Sequence, residues 1–213
     1  MTRQSPLLAA ILVAMACPLQ AGGPTVIATD PVPKAMPELT SGVDWSGPYA
    51  GLSYGRTSGT MDMDRFGLFD YTDGHATGGF LGYNLQRGKL VYGGELSYAT
   101  VSGMVFSDAS LGGDDTVDSL LELRGRVGYS LGNALIYGAF GLAKGNYTLN
   151  ALDTPTASGT SLAIGMDYLM TSQVFVGLDY TRRTMDGAND NPGNPFNFDA
   201  PVDSLSVRVG LTF

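Results

Sequence analysis

The sequence predicts an all-β fold: an eight-stranded antiparallel up-and-down transmembrane β-barrel built from residues 45–213. Three observations carry that expectation. Apolar and polar residues alternate with a period of two through eight successive runs. The connections between runs are alternately tight and long. The charges inside the runs fall on the face opposite the apolar one, away from lipid.

The runs cover approximately 47–57, 76–86, 89–102, 118–130, 134–148, 158–169, 172–184 and 203–213. Each is close to or longer than the roughly 9–11 residues that a tilted membrane-crossing strand needs. The first two are set by length and by the tight turn around Arg87-Gly88 that follows. In the third, Tyr92, Leu96 and Tyr98 oppose Gly93, Glu95 and Ser97. In the fourth, Leu121, Leu123, Val127 and Tyr129 oppose Glu122, Arg124, Arg126 and Ser130. The fifth is apolar on both faces, and its orientation stays open. In the sixth, Leu162, Ile164, Met166 and Tyr168 oppose Ser161, Ala163, Gly165 and Asp167. In the seventh, Val174, Val176, Leu178 and Tyr180 oppose Gly177, Asp179 and Thr181. The last sets Leu205, Val207, Val209, Leu211 and Phe213 against Ser204, Ser206, Arg208, Gly210 and Thr212. Tight turns are expected at 87–88, 131–133 and 170–171, and longer loops at 58–75, 103–117, 149–157 and 185–202. An even strand count with short turns on one side puts both ends of the barrel on the periplasmic side.

Period two alone does not say whether the apolar face points in or out. The polar faces carry Glu95, Glu122, Arg124, Arg126, Asp167, Asp179 and Arg208, a nearly balanced set, while Lys is confined to Lys89 and Lys144 in this region. An Arg facing lipid at mid-bilayer costs about 2–4 kcal/mol, and Arg–carboxylate pairs suit a narrow, desolvated lumen. The apolar face is therefore expected to meet lipid. Trp45, Tyr49, Tyr83, Tyr129, Tyr147, Tyr168 and Phe213 lie near strand ends and are expected to form the interfacial aromatic girdles.

Residues 1–21 have the order of an export signal: Arg3, an apolar stretch from Leu7 to Ala16, then small residues. That stretch is shorter than the roughly 20 residues of a membrane-spanning helix. Cleavage after Ala21 and lipidation at Cys17 are both open. Residues 22–44, with Pro24, Pro31, Pro33 and Pro37, read as a flexible periplasmic lead. A formal net charge of −8 argues against a nucleic-acid partner. One Cys and one His leave no Cys/His metal cluster, and no cofactor is expected.

Leu205-x-Val207-x-Val209-x-Leu211-x-Phe213 resembles the C-terminal assembly signal of outer-membrane proteins, read by the barrel-insertion machinery. Trp45-Ser46-Gly47-Pro48-Tyr49-Ala50-Gly51 resembles the first-strand start of small outer-membrane β-barrels, the OmpA-like, porin-family surface antigens of Gram-negative alphaproteobacteria. Pro48 departs from that pattern. Gly79-Phe80-Leu81-Gly82-Tyr83-Asn84, Leu123-Arg124-Gly125-Arg126-Val127-Gly128-Tyr129 and Tyr137-Gly138-Ala139-Phe140-Gly141 resemble that family's second, fourth and fifth strands. The resemblance implies an outer-membrane location among lipid and lipopolysaccharide. It also implies a structural or surface-contact role for four external loops.

Three sets of residues are candidates for chemistry. The seven interior charges read as a structural plug, with a narrow ion pathway as the alternative. The outer acids Asp62, Asp64, Asp70, Asp73, Asp108, Asp114, Asp115, Asp153, Asp186, Asp190 and Asp199 read as a solvated surface, since no Glu completes a calcium loop after Asp62-x-Asp64. His75, with Asp73, Ser58 and Thr77 nearby in sequence, is the one possible base for a lipid-modifying site, but no G-x-S-x-G nucleophile motif accompanies it. No catalytic residue is assigned, and a soluble periplasmic barrel is the remaining structural alternative. Oligomeric state is left open.

Overall fold

The computed structural model describes residues 43–64, 67–108, 113–148, 154–189 and 196–213. The expected signal segment, Cys17 and most of the Pro-rich lead lie outside the described residues, as do Asp153 and Asp190.

Eleven strands form one antiparallel sheet: β1 (Gly47–Met63), β2 (Gly67–Asp70), β3 (Gly74–Arg87), β4 (Leu90–Ser102), β5 (Val105–Asp108), β6 (Gly113–Ser130), β7 (Ala134–Thr148), β8 (Thr156–Leu169), β9 (Val174–Asn189), β10 (Phe196–Asp199) and β11 (Val202–Thr212). Eight of them close a ring in which each pairs with its neighbour in the order β1, β3, β4, β6, β7, β8, β9, β11, and β11 returns to β1. Following paired residues from Gly47 through Asn84, Gly93, Arg126, Ala139, Ala163, Thr181 and Ser204 leads back to β1 at Thr57, not Gly47. That stagger tilts the strands, by about 35–45° in barrels of this kind, and leaves an interior just wide enough for side chains.

The tight turns fall where expected. Gly88 (φ 60°) and Gly132 (φ 81°) take the left-handed conformation that lets β3 reverse into β4 and β6 into β7. At the opposite end the expected loops 58–75, 103–117 and 185–202 are largely strand. β1 and β9 run on to Met63 and Asn189, and the short strands β2, β5 and β10 pair back onto β1, β6 and β9. The physical reason lies in the sequence. Met61-Asp62-Met63 and Met185-Asp186 keep the period-two pattern, with Met61, Met63 and Met185 buried and Asp62 and Asp186 exposed. A sheet leaving lipid needs polar residues on its outer face, and those acids gave the stretch the composition of a loop.

The apolar face points outward. Leu205, Val207, Val209 and Leu211 are 58, 53, 50 and 46% exposed, whereas Arg208 between them is 2% exposed. The ambiguous fifth run resolves the same way: Leu135, Tyr137, Ala139, Ala143 and Tyr147 are buried inside while Ile136, Phe140 and Leu142 face out. The girdle expectation holds for Tyr83, Tyr129, Tyr168 and Phe213, which are exposed, and fails for Trp45, Tyr49 and Tyr147, which are buried. The odd positions of β1 and β7 point inward there, so side-chain parity overrides nearness to the strand end. Trp45 closes the short-turn end of the barrel. Its amide donates to Gln86 Oε1 (2.8 Å) and its indole N–H to the Gly132 carbonyl (3.1 Å).

The interior is layered. Trp45, Tyr49, Phe80, Val91, Leu135, Tyr137, Leu169 and Phe175 pack together toward the short turns. Toward the other end, Met61, Met63, Tyr71, Met104, Val117, Leu120, Tyr147, Met185 and Phe198 belong to a second apolar cluster. Charged residues occupy the middle.

Candidate functional site

Eight charged side chains are buried among the described residues: Glu95, Glu122, Asp167, Asp179, Arg124, Arg126, Arg183 and Arg208. Seven of them are the interior charges expected from the alternation. The eighth, Arg183, lies within the run expected at 172–184 and shares the parity of Asp179 and Thr181 on β9, so the signal is present in the sequence. Its inclusion makes the set four acids against four guanidiniums.

Glu95 of β4 is the hub. Its Oε1 accepts from Arg124 Nε (3.0 Å) and Nη2 (2.7 Å) and from Arg208 Nη1 (3.3 Å). Its Oε2 accepts from Arg208 Nη2 (2.6 Å), the Tyr49 hydroxyl (2.9 Å) and Arg126 Nη1 (3.3 Å). One carboxylate thus ties together β1, β4, β6 and β11. Asp179 of β9 accepts from Arg124 Nη2 (2.9 Å), the Tyr137 hydroxyl (2.7 Å) and the Thr181 hydroxyl (2.6 Å). Asp167 of β8 accepts from Arg126 Nη2 (2.8 Å). Glu122 stands apart from this cluster, gripped by Arg183 through Nε (2.9 Å) and Nη2 (2.5 Å), while Arg183 Nη1 donates to Ser204 Oγ (2.7 Å).

Aromatic faces complete the setting. The Arg126 guanidinium lies 3.8 Å from the Tyr137 ring centroid, and that of Arg208 lies 4.0 Å from the Phe80 centroid. Desolvated cation–π contacts of this kind contribute about 2 kcal/mol. Tyr49, Tyr137 and Phe80 are therefore parts of the site that charge counting alone missed. A small residue makes room: Gly141, paired with Arg124 across β6 and β7, would put an added Cβ 2.6 Å from the Arg124 Cβ.

The remaining candidates do not assemble. His75 is exposed and stacks on Tyr54, with centroids 5.7 Å apart. Asp73 pairs with Arg56 and not with His75, and His75 has no hydrogen bond to Ser58 or Thr77 among the described residues. No group of three His, Cys, Asp or Glu side chains converges on a metal position among the described residues. Asp62 and Asp199 are cross-strand partners of that outer acidic surface.

The sequence matches the outer membrane protein beta-barrel domain over residues 9–213. The chain belongs to the outer-membrane β-barrel protein family. It is similar to a 22 kDa outer membrane protein of Rhizobium leguminosarum bv. viciae, 30% identical over 178 residues, which are 78% of this chain and 76% of that protein. It is also similar to a 25 kDa outer-membrane immunogenic protein of Brucella abortus, 27% identical over 86% of this chain and 84% of that one. These relatives are named as outer-membrane proteins and an antigen. Among solved structures, Neisserial surface protein A is similar with a TM-score of 0.49 and 15% identity, covering 79% of this chain and 98% of that one. The outer-membrane barrel expected from alternation and terminal motifs is thus the family to which this chain belongs.

Proposed function

We propose that this outer-membrane β-barrel is a structural and surface-interaction protein, closed to solute flow, whose extended strands carry an acidic surface outside the cell. The observation that supports this reading is the Glu95 hub. Three guanidiniums meet one carboxylate in the middle of the lumen, and apolar clusters lie on both sides of them. Opening a path would break a buried ion pair, which costs about 3–5 kcal/mol when one partner is left behind. By the rule for such barrels the short turns face the periplasm and the strand extensions face out. In that orientation Asp62, Asp70, Asp186 and Asp199 lie on the cell surface, where they keep it hydrated and shape contact with other surfaces. The exported chain would reach the barrel-insertion machinery through Leu205, Val207, Val209, Leu211 and Phe213. Their outward-facing row fits a strand read from its lipid side.

A second reading, a narrow porin-like channel, draws on a cavity of about 40 Å³ whose lining includes Glu95, Glu122, Arg124, Asp179 and Arg183 beside Phe80 and Leu120. Planar-bilayer recording of the pure, folded protein distinguishes the two. The expected record is flat. Steady, resolvable conductance steps would replace the structural reading with the channel.

A further inference from the structure

The outward cations of the described barrel avoid the apolar band. Arg87 and Lys89 sit at a short turn, and Arg56, Lys144 and Arg182 sit at the far edge of the band. Arg56 is paired with Asp73. Arg182 makes no ion pair among the described residues. Its cross-strand neighbour Asp203 instead accepts the Tyr180 hydroxyl at 3.0 Å.

Arg182 also stands at the mouth of a furrow in the lipid-facing wall. Tyr180 and Leu162 flank the mouth, and Ile164, Ile136 and Val127 line the furrow as it descends toward the short turns. Its floor is opened by Gly138, which faces outward. Nothing in the protein demands glycine there. Its φ is not left-handed, and a Cβ would meet only the Ala163 carbonyl oxygen, at 3.8 Å. An apolar furrow running beneath a guanidinium that makes no ion pair among the described residues is complementary in shape and charge to an acyl chain leading to a phosphate.

We propose that this furrow holds one acyl chain of a phosphorylated lipid of the outer leaflet, lipopolysaccharide by its chemistry, with the phosphate on Arg182. The assignment rests on the orientation adopted above, in which the Arg182 edge lies at the outer leaflet. Lys144 shares that edge without lining the furrow, which makes it the internal control.

The test uses the full chain folded in detergent micelles and titrated with bisphosphorylated lipid A or with its dephosphorylated form, retained lipid being counted by native mass spectrometry. Wild type is expected to hold one phosphorylated lipid about tenfold more tightly than the dephosphorylated one, as a charge-assisted hydrogen bond implies. Arg182→Gln should erase that difference, Gly138→Leu should weaken both forms, and Lys144→Gln should change neither. Heat-modifiable migration on a gel checks that each variant is folded. The proposal is overturned if wild type does not distinguish the two lipids, or if Lys144→Gln loses as much as Arg182→Gln. Labelling of Arg182→Cys by a membrane-impermeant maleimide on intact cells reports orientation separately. No labelling with lipid discrimination intact would sink the orientation and leave the furrow standing.

Discussion

Replacing Glu95 by Gln removes one negative charge from the centre of the barrel while keeping the side chain's shape. Among the described residues the wild-type interior holds four acids and four arginines, so the variant leaves an excess positive charge. Three guanidiniums lose their shared carboxylate, Arg124 at 2.7 Å, Arg208 at 2.6 Å and Arg126 at 3.3 Å, and one of its two accepting oxygens becomes an amide donor. Asp167 and Asp179 remain to share them. Breaking a buried pair on one side costs about 3–5 kcal/mol, and the hub position places Glu95→Gln in that range. Urea titration of the protein folded in lipid vesicles measures it. The single tryptophan, Trp45, is 2% exposed and reports opening by its fluorescence. The double variant Glu95→Gln/Arg208→Met restores neutrality and is expected to recover part of the loss. A loss below about 1 kcal/mol for the single variant, or strictly additive losses in the double, would refute the claim that these charges act as one network.

Other expectations follow from neighbouring features. Gly141→Ala drives a Cβ to within 2.2 Å of the Leu123 carbonyl oxygen and should cost about 1–3 kcal/mol in the same titration, while Gly125→Ala, with its nearest neighbour at 3.9 Å, should be close to neutral. Leu178→Arg places a cation on the lipid-facing wall and should cost about 2–4 kcal/mol in the same vesicle titration. Deleting Phe213 should reduce the fraction of heat-modifiable, folded barrel recovered from cell envelopes, without changing the stability of the protein that does fold. His75→Ala should leave the lipid A of the host unaltered by mass spectrometry.

The barrel was legible because lipid and a crowded lumen demand opposite chemistries at adjacent residues. Val207, Arg208 and Val209 state that demand in three letters. It fails at particular places. Tyr49 and Tyr147 have the strand-end position of girdle residues. Position along the strand says where a residue lies in depth, and only parity says which way it points; by parity both belong inside. Arg183 lies inside the run expected at 172–184, but Arg182-Arg183 sets a cation on each face, and only parity with Asp179 and Thr181 selects the inner one. The outer strand extensions were lost because Asp62, Asp64 and Asp186 carry a loop's composition, although Met61, Met63 and Met185 between them keep the strand's rhythm. Which carboxylate meets which guanidinium was not readable at all. Glu95 and Arg208 are 113 residues apart, and only the register of the closed ring brings them together.

That separation bears on how the molecule is made. Arg208 lies on β11, the final strand, and β11 is also the piece that joins β9 to β1. Without it, Glu95, Glu122, Asp167 and Asp179 outnumber Arg124, Arg126 and Arg183, and the sheet has two unpaired edges. Sealing the seam and neutralising the middle are therefore one event. A sheet lacking this one strand is not a smaller barrel at rest but an unbalanced one, open along two edges and short of one cation.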